Sequence, residues 1–152
     1  MLSVCRYYIR DMQHAEDVLM EGFLKAFTRL HQLTELNEFP GWLRKIMVNE
    51  SLHFLRSKNQ LIFLEEEKAS KTQKIQAPQL DFSVEEVQQL IDQLPEVQKV
   101  IFILYAIEGY SHKEIGAQFN IPLGTSKGYL SRARKTLQEK LKTYYFKKNE
   151  RA

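Results

Sequence analysis

The chain has 152 residues, 43% hydrophobic and 27% charged, which suits one ordinary domain or two small ones and excludes a disordered polymer. It has neither the run of about 18 apolar residues of a membrane helix nor a secretory signal, and Cys5 is its one cysteine, so a cytoplasmic protein without disulfides is predicted. The net charge is only +3, but residues 122–152 carry nine lysines and arginines against two glutamates, which predicts a polyanionic partner at that end.

Two amphipathic helices are predicted in the N-terminal half. The first runs from about residue 15 to 33, and the apolar residues expected on its buried stripe are Val18, Leu19, Phe23, Ala26, Phe27 and Leu30. The second runs from about residue 38 to 55. Its apolar positions surround most of the helix, so we expect it to be covered on more than one side.

Helical periodicity stops between residues 61 and 82, where glutamates 65–67 and a Ser/Thr/Lys/Gln-rich stretch have the composition of a linker. About twenty residues without a pattern are unusual inside one compact domain. We therefore predict a domain of residues 1–60, a flexible linker of residues 61–82 that could span up to roughly 70 Å, and a domain of residues 83–146.

The C-terminal domain is predicted to contain four helices. Ser83 with Glu86, and again Ser111 with Glu114, form the capping-box pattern that begins a helix. Because strand signals are almost absent, the predicted fold class is all-α: two small helical domains, the second a four-helix unit.

Residues 111–130 have the pattern of a helix-turn-helix. Gly116 supplies the small residue that the steep helix crossing needs, Asn120 tolerates the left-handed backbone of the turn, and Thr125 is a plausible N-cap of the second helix. The residues of that helix expected to face the core are Leu130, Ala133, Leu137 and Leu141.

The opposite face of the second helix is small and basic. The residues expected there are Gly128, Ser131, Arg132 and Lys135, with Lys127 on the flank. Arginine can pair with guanine edges in the major groove, while lysine and serine commonly bind phosphates. This pattern predicts a DNA-reading helix; the alternative is an amphipathic helix with a solvated basic face.

These residues resemble a known family. Residues 94–141, especially 109–115 and 121–127, are similar to region four of bacterial RNA polymerase sigma factors, in particular the extracytoplasmic-function (ECF) group. Residues 11–27 and 39–49 resemble two parts of region two, which bind core polymerase and capture the minus-ten promoter element. The resemblance covers nearly the whole chain and implies a sigma factor that binds core polymerase (beta-prime and beta subunits) and promoter DNA.

The resemblance assigns roles in region two. The surface around Asp17, Glu21, Phe23 and Phe27 would dock on the coiled coil of the beta-prime subunit. The alternative is that both phenylalanines belong to the core.

Other residues would contact DNA. Lys45 and Asn49 would hold the non-template strand, although many relatives have arginine at the position of Lys45, and Trp42 is expected in the core. In region four, the residues that would face the minus-35 element are Lys127, Ser131, Arg132 and Lys135. An anti-sigma factor is a further expected partner. The acidic linker would thread through the polymerase.

One departure from the family is expected to matter. Relatives usually have a further helix of about twenty residues before the position of Met1, so region two is expected to be incomplete or its start misassigned. Val18, Leu19 or Phe23 would then lack cover.

The alternatives to a sigma factor are a stand-alone DNA-binding regulator and an enzyme. A stand-alone helix-turn-helix regulator would need a dimer seam or a ligand pocket, and the sequence shows neither a heptad run nor convergent polar residues. An enzyme is not expected, because the four histidines are scattered and the sequence has no HExxH motif, no nucleophile elbow and no P-loop.

Overall fold

The computed structural model describes residues 1–63 and 82–150, and every regular element in those two ranges is helical. The chain forms two compact units, Met1–Leu61 (unit 1) and Ile62–Ala152 (unit 2). The all-α class and the four helices of the second unit, predicted from the periodicity, are confirmed. Linker residues 64–81, with their glutamate cluster, lie outside the described residues.

Unit 1 contains three α-helices: α1 Leu2–Tyr8, α2 Met12–Thr28 and α3 Phe39–Ser57. The Asp11 side chain caps α2 by accepting a hydrogen bond from the backbone N–H of His14 at 2.9 Å. α2 ends before the predicted position because residues 30–32 form a separate 3₁₀ turn. The periodicity does not predict α1, whose seven residues are too few to show a repeating pattern.

The core of unit 1 corrects the expected stripe on α2. Val18 is buried, but Phe23, Phe27 and Leu30 are exposed. The buried face of α2 instead consists mainly of small residues: Ala15, Val18, Gly22 and Ala26. A Cβ atom at Gly22 would lie 2.5 Å from the Met47 sulfur, so a larger residue there would require the Met47 side chain to move.

α1 covers part of the surface that was expected to be bare. It packs against both α2 and α3 and buries Val4, Cys5 and Tyr8. Of the three residues expected to lack cover, Val18 is 2% exposed and Leu19 is half-buried, whereas Phe23 is exposed. Between α2 and α3, the Lys25 ammonium group pairs with the largely buried carboxylate of Glu50.

Unit 2 contains α4 Val84–Asp92, α5 Glu96–Ala106, α6 His112–Phe119 and α7 Leu123–Glu150. Both predicted capping boxes are confirmed. In α4 the Glu86 backbone N–H donates to the Ser83 hydroxyl at 3.2 Å, and in α6 the Ser111 N–H donates to the Glu114 carboxylate at 2.8 Å. These bonds satisfy N–H groups that a helix start otherwise leaves without partners.

α5 packs against α6 and α7, and α7 also packs against α4 and α6. The apolar residues that α5 buries are Val97, Val100, Ile101, Ile103 and Leu104. From α7, Leu130, Ala133 and Leu137 are buried as predicted, while Leu141 is half-buried. This core fixes which face of α7 is turned outward.

Candidate nucleic-acid interface

The turn between α6 and α7 has the geometry that the sequence predicts. Asn120 adopts the left-handed conformation, with φ 52° and ψ 47°. A Cβ atom at Gly116 would lie 2.9 Å from the Ile121 carbonyl oxygen, a contact with backbone that cannot move aside easily. The Ile121 N–H donates to the Gly116 carbonyl at 3.0 Å, which closes the turn.

The beginning of α7 differs from the prediction. The helix starts at Leu123, two residues before Thr125, so Thr125 is not its N-cap. The N–H groups of Thr125 and Ser126 donate instead to the Pro122 carbonyl, at 3.0 and 3.2 Å. Pro122 therefore immediately precedes the helix and supplies its first carbonyl acceptor.

His112 ties the beginning of α6 to both neighbouring helices. Its Nδ1 lies 2.9 Å from the hydroxyl of the buried Ser126 on α7. Its ring stacks on Tyr105 of α5, with centroids 4.5 Å apart and an interplanar angle of 22°. Burial, and then the positive charges of Lys127 and Arg134, lower the pKa of His112 below its ordinary value.

The outward face of α7 is formed by Lys127, Ser131 and Lys135, which are spaced four residues apart and therefore share one side of the helix. Both lysines are exposed and Ser131 is half-buried. This face can offer two ammonium groups and a hydroxyl to phosphate or to base edges.

Gly128 and Arg132 lie elsewhere than expected. Gly128 is buried rather than outward. Arg132 is half-buried, and its guanidinium carbon lies 4.8 Å from the centroid of the Tyr129 ring. At about 100° per residue, these two positions lie on the helix between the outward face formed by Lys127, Ser131 and Lys135 and the buried Tyr129. The exposed basic face of α7 is therefore narrower than predicted.

Arg134 was not among the residues predicted to face DNA. It is exposed, and its guanidinium carbon lies 5.6 Å from the Tyr105 ring centroid. The available signal was its spacing of seven residues from Lys127, about two helical turns, which places both cations on one side of α7.

In unit 1, Lys45 and Asn49 are exposed and four residues apart on α3, so they project from the same side of the helix. Trp42, expected in the core, is half-buried and lies 6.1 Å from the ring of Phe39, which is itself partly exposed.

α2 presents a surface that combines apolar and acidic side chains. Asp17 and Glu21 are exposed, and so are Phe23 and Phe27, the latter to 80%. Two further apolar side chains of this surface, Met20 and Leu24, were not predicted, and each is 66% exposed. The spacing of Met20, Leu24 and Phe27 could have identified them, because i, i+4, i+7 forms a second apolar stripe on the helix.

Neither a metal centre nor a membrane span is indicated by the part of the chain that the structure describes. Within it, no three His, Cys, Asp or Glu side chains are grouped so that they could hold a metal ion. None of its helices has the length and hydropathy needed to cross a bilayer.

Comparisons with protein-family models match both units. Residues 1–60 match the model of sigma-70 region 2, and residues 84–137 match the model of sigma-70 region 4. The two matches occur in the order in which the sequence resemblance placed them.

Comparisons with individual proteins agree. The chain is 27% identical to the ECF RNA polymerase sigma factor SigW of Bacillus subtilis over 92% of this chain and 82% of that protein. It is 28% identical to the RNA polymerase sigma-H factor of Pseudomonas aeruginosa over 88% and 76%. Among solved structures, the sigma factor RpoE in complex with the anti-sigma factor NepR from Bartonella quintana shares the fold, with a TM-score of 0.60 at 22% identity over 93% of this chain and 89% of that one.

Proposed function

Because this chain belongs to the sigma-70 family, in its ECF group, we propose that its two units recognise the two elements of one promoter. A sigma factor directs core RNA polymerase to promoters and performs no chemistry of its own. The observation that carries the assignment is the presence of a region-2 unit ahead of the helix-turn-helix. A stand-alone regulator does not need that unit, so this alternative is set aside.

Unit 1 would bind core polymerase through α2. Its exposed apolar side chains, Met20, Leu24 and Phe27, lie beside the carboxylates of Asp17 and Glu21. Exposed apolar groups clustered on one helix commonly mark a protein interface. The acidic flank would select a basic partner surface, and the family docks this part of region two on the coiled coil of beta-prime.

Unit 1 would also hold the non-template strand of the minus-ten element, through Lys45 and Asn49 on α3. An amide can hydrogen-bond the edge of an unstacked base, and an ammonium group can neutralise a phosphate. Since both side chains are exposed on the same side of the helix, one strand could contact both.

Unit 2 would read the minus-35 element with α7. Lys127, Ser131 and Lys135 supply the outward row, and Arg132 lies at its edge. A guanidinium group can bind the O6 and N7 atoms of guanine together, which gives Arg132 the strongest potential for base discrimination among these four. The lysines are better suited to the phosphates that set register.

An anti-sigma factor is proposed as a further partner, because the solved structure with the same fold was determined in complex with one. Such a partner would cover the polymerase- and DNA-binding faces until released. The place of action would be the cytoplasm, where the polymerase transcribes.

Reconstitution of the purified chain with bacterial core polymerase tests the function. Pull-down measures core binding, and run-off transcription from the DNA upstream of its own gene measures promoter use. We expect core binding and a discrete transcript. Loss of core binding with retained sequence-specific duplex binding would contradict the assignment.

Arg132→Ala should reduce promoter-specific transcription and leave core binding unchanged. The matched control is Lys140→Ala on the same helix, because the Lys140 ammonium group donates to the side chain of Gln93, the residue that follows α4, at 3.0 Å. If Arg132→Ala instead abolishes core binding, the faces of α7 are assigned incorrectly.

A further inference from the structure

Three aromatic rings form a cluster at one edge of the helix-turn-helix. The centroid of Phe63 lies 4.9 Å from that of Phe119, the last residue of α6, and 5.8 Å from that of Tyr129 in α7. These separations, and the 85° angle between Phe63 and Tyr129, fall in the range of favourable aromatic pairs. All three residues belong to unit 2. Phe63 thus joins the two helices of the motif from a position ahead of α4.

The same Tyr129 ring supports Arg132. The guanidinium carbon is 4.8 Å from the ring centroid, within the range of a cation–π contact, and the Arg132 Nε is shielded from water. Tyr129 itself is only 4% exposed. One buried ring therefore contacts Phe63 as well as the side chain best suited to reading a base.

We propose that Phe63 is a positioning residue for promoter recognition, which fixes the Tyr129 ring and through it the guanidinium plane of Arg132. This inference rests on the proposed role of Arg132 at the minus-35 element. A residue that lies outside the helix-turn-helix sequence would then contribute to its base preference.

The physical reason is preorganisation. Arginine has many rotamers, and a bidentate contact with guanine needs the guanidinium group in one plane. A Tyr129 ring that is also in contact with Phe63 would limit those rotamers before DNA binds. Without Phe63, the entropy lost by ordering the Arg132 side chain would reduce the binding free energy. This loss would weaken the contact of Arg132 with its preferred base and would leave the phosphate contacts of the lysines largely unchanged.

The test uses the full chain as holoenzyme with core polymerase. A duplex library with a randomised minus-35 region gives the base preference at each position for the unchanged protein and for each variant. The variants are Phe63→Ala, Phe63→Tyr, Arg132→Ala and the double variant. Ile62→Ala is the matched control, because this neighbour is 63% exposed and its aliphatic side chain adds no ring to the cluster.

We expect Phe63→Ala to reduce discrimination by about twofold to tenfold, the cost of ordering one long side chain, only at the positions that Arg132→Ala affects. Phe63→Tyr keeps the ring and should keep the profile, as should Ile62→Ala. The double variant should match Arg132→Ala, because both changes act through one contact.

Several outcomes would overturn the proposal. An unchanged profile for Phe63→Ala, or tighter binding to all sequences, would show that Phe63 does not orient Arg132. A uniform loss at every position, with a lower melting temperature, would mean that Phe63 only stabilises unit 2. If Arg132→Ala changes no position, the proposed role of Arg132 itself fails; if it does and Phe63→Ala does not, only the positioning role fails.

Discussion

A substitution at Phe27 should change binding to core polymerase without changing the stability of the fold. Its side chain is 80% exposed in the structure, so Phe27→Ala removes little packing within the chain. Burying a whole phenylalanine side chain is worth about 1.5–3 kcal/mol, and the exposed part of Phe27 would contribute about 1–2.5 kcal/mol at an interface. Phe27→Ala should therefore weaken binding to core polymerase by about fivefold to sixtyfold.

The assay measures the dissociation constant of the chain from core polymerase by fluorescence titration, together with the free energy of unfolding by urea. For an exposed substitution the unfolding free energy should change by less than about 0.5 kcal/mol. Leu36→Ala is the matched control. Leu36 is 87% exposed in the same unit but lies outside α2, so neither quantity should change.

A loss of stability of about 3–5 kcal/mol, the usual cost of truncating a core phenylalanine, would refute the reasoning. So would unaltered core binding. The first result would place Phe27 in the core, which is the alternative that the sequence left open, and the second would remove it from the proposed polymerase interface.

Other regions give further predictions. Gly116→Ala should lower the thermal stability of unit 2 by about 1–3 kcal/mol, because its Cβ would meet the Ile121 carbonyl at 2.9 Å, whereas Gly124→Ala has open space and should be tolerated in the same calorimetry. Because the folded-state pKa of His112 lies below its unfolded value near 6.5, the unfolded chain takes up the proton first; urea titrations should show stability falling as pH drops below about 6.5, and His112→Gln should remove that component. Lys135→Ala should reduce the salt dependence of promoter binding by about 0.9 in log–log slope if Lys135 neutralises one phosphate, and an unaltered slope would contradict that contact.

The sequence predicts the second unit better than the first. Capping boxes, the left-handed turn residue and the buried stripe of α7 are local signals, and each depends on neighbours within a few residues. Thr125 was misassigned because Pro122 can also begin a helix, and composition does not rank the two. α1 was not predicted because its seven residues, about two turns, are too few to show a repeating pattern.

The sequence alone does not predict which faces of α2 and α7 are buried. Periodicity identifies an apolar stripe, but α2 carries two, and the packing of α1 and α3 on α2 decides which one is buried. The position of Gly128 on α7 likewise depends on what covers the side near Tyr129. Both decisions come from tertiary contacts between residues far apart in the chain, so the roles of the exposed residues stay predictions.

The packing of α2 on α3 is related to the proposed binding of unit 1 to core polymerase. Because the buried face of α2 is built mainly from small residues, its larger apolar side chains are not needed for the core and remain on the outside. Exposed apolar side chains promote aggregation unless a partner covers them. The exposure of these side chains beside Asp17 and Glu21 therefore supports the proposal that this face of α2 binds core polymerase.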